Sequence, residues 1–364
     1  MRPLALPLTV ALSAFCLMSC GPAAPGPAGA PGLDGAEGPA GPAGPPGEDA
    51  PPPIALVDAL QLPAAAPYPT GMDAAADGSL YVGSLFGAVV KFAPTSTTGQ
   101  IVIPGVGPAG TVLANIAIDQ ATDTLYACGD LFGGAPGNPF ANPAATLYAF
   151  DLDGNQKAAI ALPNQGSSLC EDIAVDVDGS VYVTDAFLGA IYVVPAPVTN
   201  ASALTSWATS ALLAPDPTLP VPPFGAHGIT LTASDVFVSN FSTSAIVRVP
   251  RNVDRSADEA NIAAEAVTIS NPEKLLALDD THMLAAENTW CATGSLDLLT
   301  RPDASSNVWT VTVLKNGILG ATGFAIADDN YYTTESQVCA IVTQLAGGPT
   351  ADPVLPFWID RVSQ

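Results

Sequence analysis

Residues 171–185 read EDIAVDVDGSVYVTD. An acidic pair opens the stretch, Ile173-Ala174-Val175 carries it apolar to Asp176, Asp178-Gly179 turns it, and Val181-Tyr182-Val183 brings it back to Thr184 and Asp185. Both central positions of a tight hairpin favour a left-handed backbone, which Asp-Gly tolerates, so the stretch reads as two antiparallel strands. The same unit recurs from Thr70 (Met72, Asp77-Gly78, Leu80-Tyr81-Val82), Ala114 (Ile116, Ile118, Leu125-Tyr126-Ala127), His227 (Ile229, Val236-Phe237-Val238), Glu273 (Leu275, Met283-Leu284-Ala285) and Thr322 (Phe324, Ile326, Tyr331-Tyr332-Thr333). Successive starts lie roughly 44 to 57 residues apart. That is the period of a propeller blade and is too long for leucine-rich or ankyrin-type repeats.

A blade needs four strands. The inner pair is the unit just described, and an outer pair follows it, as at 190–195 or 308–314. One such sheet cannot bury its faces alone, whereas six around an axis can, and ring closure protects the sheet edges. The expected fold is therefore all-β, a six-bladed β-propeller over residues 54–364. Residues 54–62 resemble the outer strand that precedes each later inner strand, such as 158–162, and are expected to complete the last blade. The tail at 357–362 competes for that slot. Asp151-Leu152-Asp153-Gly154-Asn155 fails as a calcium loop, because Gln156 and Leu162 stand where an EF-hand needs its glycine and its bidentate acid.

Residues 172–185 resemble the NHL repeat and the SMP-30/gluconolactonase superfamily of six-bladed propellers. The likeness spreads over residues 54–364 and is strongest in this blade. In such a ring the leading inner-strand residues face the axis: Thr70, Ala114, Glu171, His227, Glu273 and Thr322. Where the second strands end, Ser84, Asp185, Asn240, Glu287 and Glu335 form a candidate ligand rim. The superfamily's lactonases hold one metal through a first-blade glutamate, a fourth-blade asparagine before glycine and a fifth-blade aspartate before glycine. Those places fall at Thr70, at His227 before Gly228 and at Glu273 before Lys274. The resemblance thus implies a divalent cation, calcium or zinc, on His227 and Glu273, with Glu171 supplying the carboxylate that Thr70 lacks. A cation there polarises an ester carbonyl and acidifies a bound water, with Glu273 as general base. Lys274 opposes this unless its ammonium points away.

The chain has 34 acidic and 10 basic side chains, a formal charge of −24. With no basic stripe, binding to nucleic acid through phosphate neutralisation is excluded. Arg248, Arg251 and Arg255, among Asp254, Asp258 and Glu259, read as a solvated loop. Nothing else offers a catalytic constellation: there is no Gly-x-Ser-x-Gly elbow and no phosphate-cradling loop, and His282 reads as an ordinary strand residue. Trp207, Trp290, Trp309 and Trp358 lie outside the inner strands, where packing is the expected role.

Ahead of the repeats, Arg2 precedes an apolar run over 4–18 that is too short to span a bilayer, ending Leu17-Met18-Ser19-Cys20. This resembles the lipobox of bacterial lipoproteins, which implies cleavage after residue 19 and a multi-chain lipid anchor on Cys20, with the outer membrane favoured by Gly21. Residues 20–53 then carry glycine at every third position, from Gly26 to Gly47, in eight triplets rich in proline. This is the collagen pattern. It serves either as a semi-rigid single-chain spacer or as the stem of a homotrimer. In an oxidising compartment Cys128, Cys170, Cys291 and Cys339 remain to pair, and their places in the repeat predict Cys128 with Cys170 and Cys291 with Cys339. The sequence therefore anticipates an envelope lipoprotein whose propeller binds a small molecule or an envelope protein at its central rim, or else a metal-dependent lactone or ester hydrolase.

Overall fold

The computed structural model describes residues 59–134, 140–219, 224–289, 292–345 and 352–363. The signal segment, Cys20, the Gly-X-Y stretch, Trp290 and Cys291 lie outside them. The described chain forms six four-stranded antiparallel sheets. Blade one comprises Pro69–Ala74, Leu80–Ser84, Val89–Phe92 and Gln100–Ile103, paired in sequence order from the axis outward. Blades two to five repeat that order over 112–161, 170–209, 226–264 and 272–318.

Blade six settles the competition for its last strand. Phe324–Ala327 and Asn330–Thr334 form the inner pair, the tail strand Trp358–Ser363 is third, and Ala59–Gln61 adds outside it as fourth. Both segments are used, because the last inner pair leaves two strand places and not one. Gln61 pairs with Trp358 and Ala59 with Asp360, so strands from the two ends of the described chain close the ring.

The residue pattern explains why the sheets stack. In Val181-Tyr182-Val183 successive side chains leave opposite faces of the sheet. Val181 and Val183 pack with Leu147 and Cys128 of blade two, while Tyr182 packs with Val236 and Val238 of blade four. Each inner blade face is thus buried against a neighbour, and the apolar side chains gather into six clusters, one at every interface between blades, including six with one. Edge closure and burial of both sheet faces are one event in such a ring.

Polar ties reinforce it. Two of the three arginines expected in a solvated loop are instead blade connectors: Arg251, its side chain 5% exposed, reaches Asp176 at 2.6 Å, and Arg255 bridges Asp176 and Asp178 at 3.0 and 2.5 Å, whereas Arg248 pairs with Glu265 at 3.1 Å within blade four. The local charge pattern suggested solvation because the partners of Arg251 and Arg255 sit 75 or more residues away, on the hairpin of blade three. Lys315 similarly meets Asp360 at 2.7 Å across blades five and six. Cys128 and Cys170 are joined, with Cα atoms 5.1 Å apart and a sequence separation of 42. Closing a loop of that length removes about 4 kcal/mol of unfolded-chain entropy. Cys339 is also disulfide-bonded. It lies on helix α1, Val338–Leu345, an element set between the second and third strands of blade six that the strand periodicity gave no hint of.

Candidate axial binding site

Five inner strands carry a β-bulge at their upper end, at Thr70-Gly71, Ala114-Asn115, Glu171-Asp172, His227-Gly228 and Glu273. A bulge sets two residues against one and so re-aims their side chains. The amides it frees from the ladder are taken by a hydroxyl on the neighbouring strand: Asp172 N–H donates to Thr184 Oγ1 at 2.9 Å and Gly228 N–H to Ser239 Oγ at 2.7 Å, and blade six, without the bulge, makes the equivalent contact from Gly323 N–H to Thr334 Oγ1 at 2.9 Å. This explains the Thr or Ser that stands just before the rim residue in three blades.

The first residues of these positions, Thr70, Ala114, Glu171, His227, Glu273 and Thr322, all line one cavity of about 720 Å³. The next residues form a second ring below: Gly71, Asn115, Asp172, Gly228, Lys274 and Gly323. Three are glycine because an added Cβ would strike the neighbouring inner strand; at Gly228 it would fall 2.7 Å from the Glu273 carbonyl oxygen. The other three close the axis. Lys274 Nζ donates to Asp172 Oδ1 at 3.1 Å and to Asn115 Oδ1 at 3.2 Å, and Asp172 Oδ2 accepts the Ile229 amide at 2.9 Å. Lys274 lines a separate cavity of about 200 Å³ with Asp73 and Thr230. Its ammonium is therefore committed to the ring of polar groups beneath the upper cavity, the geometry that removes the sequence-level objection to a cation above.

Glu171, His227 and Glu273 come together above that plug, each offering a donor atom within 4.8 Å of the others. His227 Nε2 stands 3.5 Å from Glu171 Oε1. His227 Nδ1 lies 3.2 Å from the Glu273 carbonyl oxygen. A carbonyl only accepts, so the ring proton sits on Nδ1 and the Nε2 lone pair is left for a ligand. Asn288 Nδ2 donates to Glu273 Oε2 at 3.3 Å. Burial drives all three toward their neutral forms: His227 falls to about 4, Glu273 rises to about 8, and Glu171 stands well above the usual carboxylate range, with Glu273 and Asp130 adding to the effect.

The donor set fits a divalent cation. Ligand atoms 2.0–2.6 Å from an ion lie within about 5 Å of one another, as these three do, and two carboxylates with an oriented imidazole suit a +2 charge. The same neighbourhood holds Asp130, 1% exposed, whose Oδ1 accepts the Cys170 amide at 3.1 Å and whose Oδ2 has no partner. The sequence reading passed over Asp130, which lies one strand out from the leading residues, near the end of the second strand of blade two.

The rim candidates do different work. Asp185 Oδ1 accepts the amides of Leu169, Phe187 and Leu188, each at 3.1 Å, and Asn240 Nδ2 donates to the carbonyls of Leu212 and Ala214 at 2.9 and 2.8 Å. Glu287 Oε1 accepts the Ser270 amide at 2.6 Å, and Ser84 Oγ donates to Pro67 O at 2.5 Å. Glu335 stands near Asp360 and Lys315, its carboxyl raised by burial. Among the described residues these five tie loops to blades, and the axial cavity is lined by others. His282 caps the Asp279 turn at the surface, and Trp309 donates to Glu265 Oε2 at 2.8 Å between blades four and five.

No protein-family model matches this sequence, and no curated protein is similar enough to match it. Solved structures do match in fold. A gluconolactonase from Xanthomonas campestris superposes with a TM-score of 0.54 at 13% identity, over 84% of this chain and 87% of its own. The PQQ-bound aldose sugar dehydrogenase of Streptomyces coelicolor gives 0.52 at 14%, over 85% and 96%. The major Malassezia sympodialis allergen Mala s 1 gives 0.56 at 14%, over 85% and 97%. The structural neighbours are thus six-bladed propellers of gluconolactonase type and others, and one ring serves unrelated chemistries among them.

Proposed function

We propose that this protein binds a small ligand in the axial cavity, with a divalent cation held by Glu171, His227 and Glu273 at the cavity floor. One observation carries the reading: three consecutive blades deliver two carboxylates and an imidazole of fixed tautomer to the closed end of a cavity of small-molecule size. Titration of the purified protein with Ca²⁺ and Zn²⁺, read by calorimetry and by thermal melting, tests it. Saturable binding of one ion per chain is expected, lost in Glu171→Gln and in Glu273→Gln; absence of binding by the wild type removes the cation from the proposal.

A second reading, metal-dependent hydrolysis of a lactone or ester, is favoured by the number of protein donors. Three leave coordination positions free on the cavity side, as catalytic sites do. The cation would supply Lewis-acid polarisation and an acidified water. Glu273 would take the proton of that water, and Asn288 would hold its carboxylate in place. Hydrolysis that is abolished by chelation and restored by the ion is the discriminating result.

The presentation of the propeller is part of the same proposal. Lipid on Cys20 would anchor the chain to a bacterial envelope membrane, and residues 20–53 would serve as spacer or trimer stem. The motif Leu17-Met18-Ser19-Cys20 and the eight Gly-X-Y triplets support this. Fatty-acid labelling that is lost in Cys20→Ser, with crosslinking of the wild type to count chains, is the direct assay.

A further inference from the structure

We infer that the ligand of the axial cavity is an amphiphile, an apolar chain or ring system with one oxygen-bearing head such as a long-chain lactone or ester, and not a polyhydroxylated sugar lactone. The inference rests on the cavity being the binding site and adds its ligand class. Five phenylalanines, Phe86, Phe132, Phe140, Phe224 and Phe241, line the cavity. They reach from Phe86, 56% exposed, down to the imidazole at the floor, where Phe241 lies 5.0 Å from the His227 ring and Phe224 lies 5.8 Å from it. Phe132 and Phe140 meet edge to face at 5.4 Å on another side. Helix α1 adds Val338 and Ile341, one turn apart and so on one face. Its base is fixed by a reciprocal pair of hydrogen bonds between Gln337 and the Val354 backbone, at 2.9 and 2.7 Å.

Among the described residues the polar groups of the lining gather around the axis: Thr70, Glu171, His227, Glu273, Asn288 and Thr322, with the unpartnered Asp130 Oδ2. A single ester or lactone head finds its partners there. A sugar lactone carries hydroxyls on every side, and each one pressed against a phenylalanine loses its water without replacement. That costs roughly tenfold in affinity per hydroxyl. Each methylene laid on the same wall gains about fourfold.

The test uses the whole protein and a graded series of γ-lactones from γ-hexalactone to γ-dodecalactone, beside δ-gluconolactone, titrated by calorimetry with and without Ca²⁺ or Zn²⁺. Affinity should climb about fourfold per added methylene until the cavity is filled, and δ-gluconolactone should bind at least a hundredfold more weakly than γ-decalactone. Phe140→Ser and Phe86→Ser should flatten the climb while leaving cation binding unchanged. Affinity independent of chain length, or δ-gluconolactone binding as tightly as γ-decalactone, overturns the inference even where the cation binds. A steep chain-length dependence without any bound cation upholds the ligand class and defeats the cation reading instead, so the two fail separately.

Discussion

Replacing Lys274 by methionine removes the ammonium from the polar plug and keeps most of its side-chain volume. In the wild type Lys274 is 8% exposed and its Nζ lies 3.1 Å from Asp172, whose carboxylate is fully buried, and 3.2 Å from Asn115. Without the ammonium, Asp172 keeps the Ile229 amide as partner, while Asn115 Oδ1 keeps the Ile116 amide. Asp73, whose carboxyl desolvation raises and Lys274 pulls part of the way back, loses that attraction. Breaking one side of a buried pair costs about 3–5 kcal/mol, because the surviving charge is stranded in a medium that solvates it poorly. The double variant Lys274→Met/Asp172→Asn removes the stranded charge and keeps an acceptor for Ile229, so its loss should be about 2 kcal/mol or less. Guanidinium unfolding of wild type, both single variants and the double yields the coupling directly. A Lys274→Met loss under about 1 kcal/mol, or additive effects in the cycle, would show that the plug is solvated and that the axis is not closed as described.

Other expectations follow from single features. Gly228→Ala brings a Cβ to 2.7 Å from the Glu273 carbonyl and Lys274 Cα, so it should cost about 2 kcal/mol or more and abolish cation binding through displacement of Glu273; calorimetry on the folded variant measures the second effect. The Cys128→Ala/Cys170→Ala pair should lower stability by up to about 4 kcal/mol under non-reducing conditions, since the bridge closes a span of 42 residues. Asp297 is 1% exposed with Oδ1 unpartnered, and burial, with Glu287 nearby, raises its carboxyl from 3.8 to about 6. A raised carboxyl holds its proton in the folded state at pH values where the unfolded chain has released it. Its stabilising contribution is therefore full below about pH 4 and is lost as pH rises through 6. Asp297→Asn should gain on the wild type over that window, by about 2 kcal/mol after allowance for solvent; equal pH-stability curves would contradict the assignment.

Much of the propeller was legible because its determinants are local. An Asp-Gly turn between two short apolar strands declares a hairpin at 171–185, and repetition at a blade-length period leaves few architectures in which every copy is buried. The axial set of Glu171, His227 and Glu273 was legible for the same reason: equivalent positions in equivalent hairpins point the same way. The disulfide between Cys128 and Cys170 followed from adjacent places in that repeat.

Other features depend on contacts between residues far apart in the chain. Arg251 looks solvated beside Asp254 and Asp258, yet its partner is Asp176, 75 residues earlier. The use of both 59–61 and 358–363 in blade six was decided by how many strand places remained once the other five sheets had formed. Lys274 looked hostile to a cation until the bulge turned it to Asp172 and Asn115, and Asp130 had no mark in sequence to set it beside the axis. Periodicity in a chain specifies which residues share a face, since that follows from backbone geometry repeated every two residues. Which faces meet, which charges find partners and where the axis is sealed are set by packing six sheets into one ring, and the energy of each such contact exists only once the ring is closed.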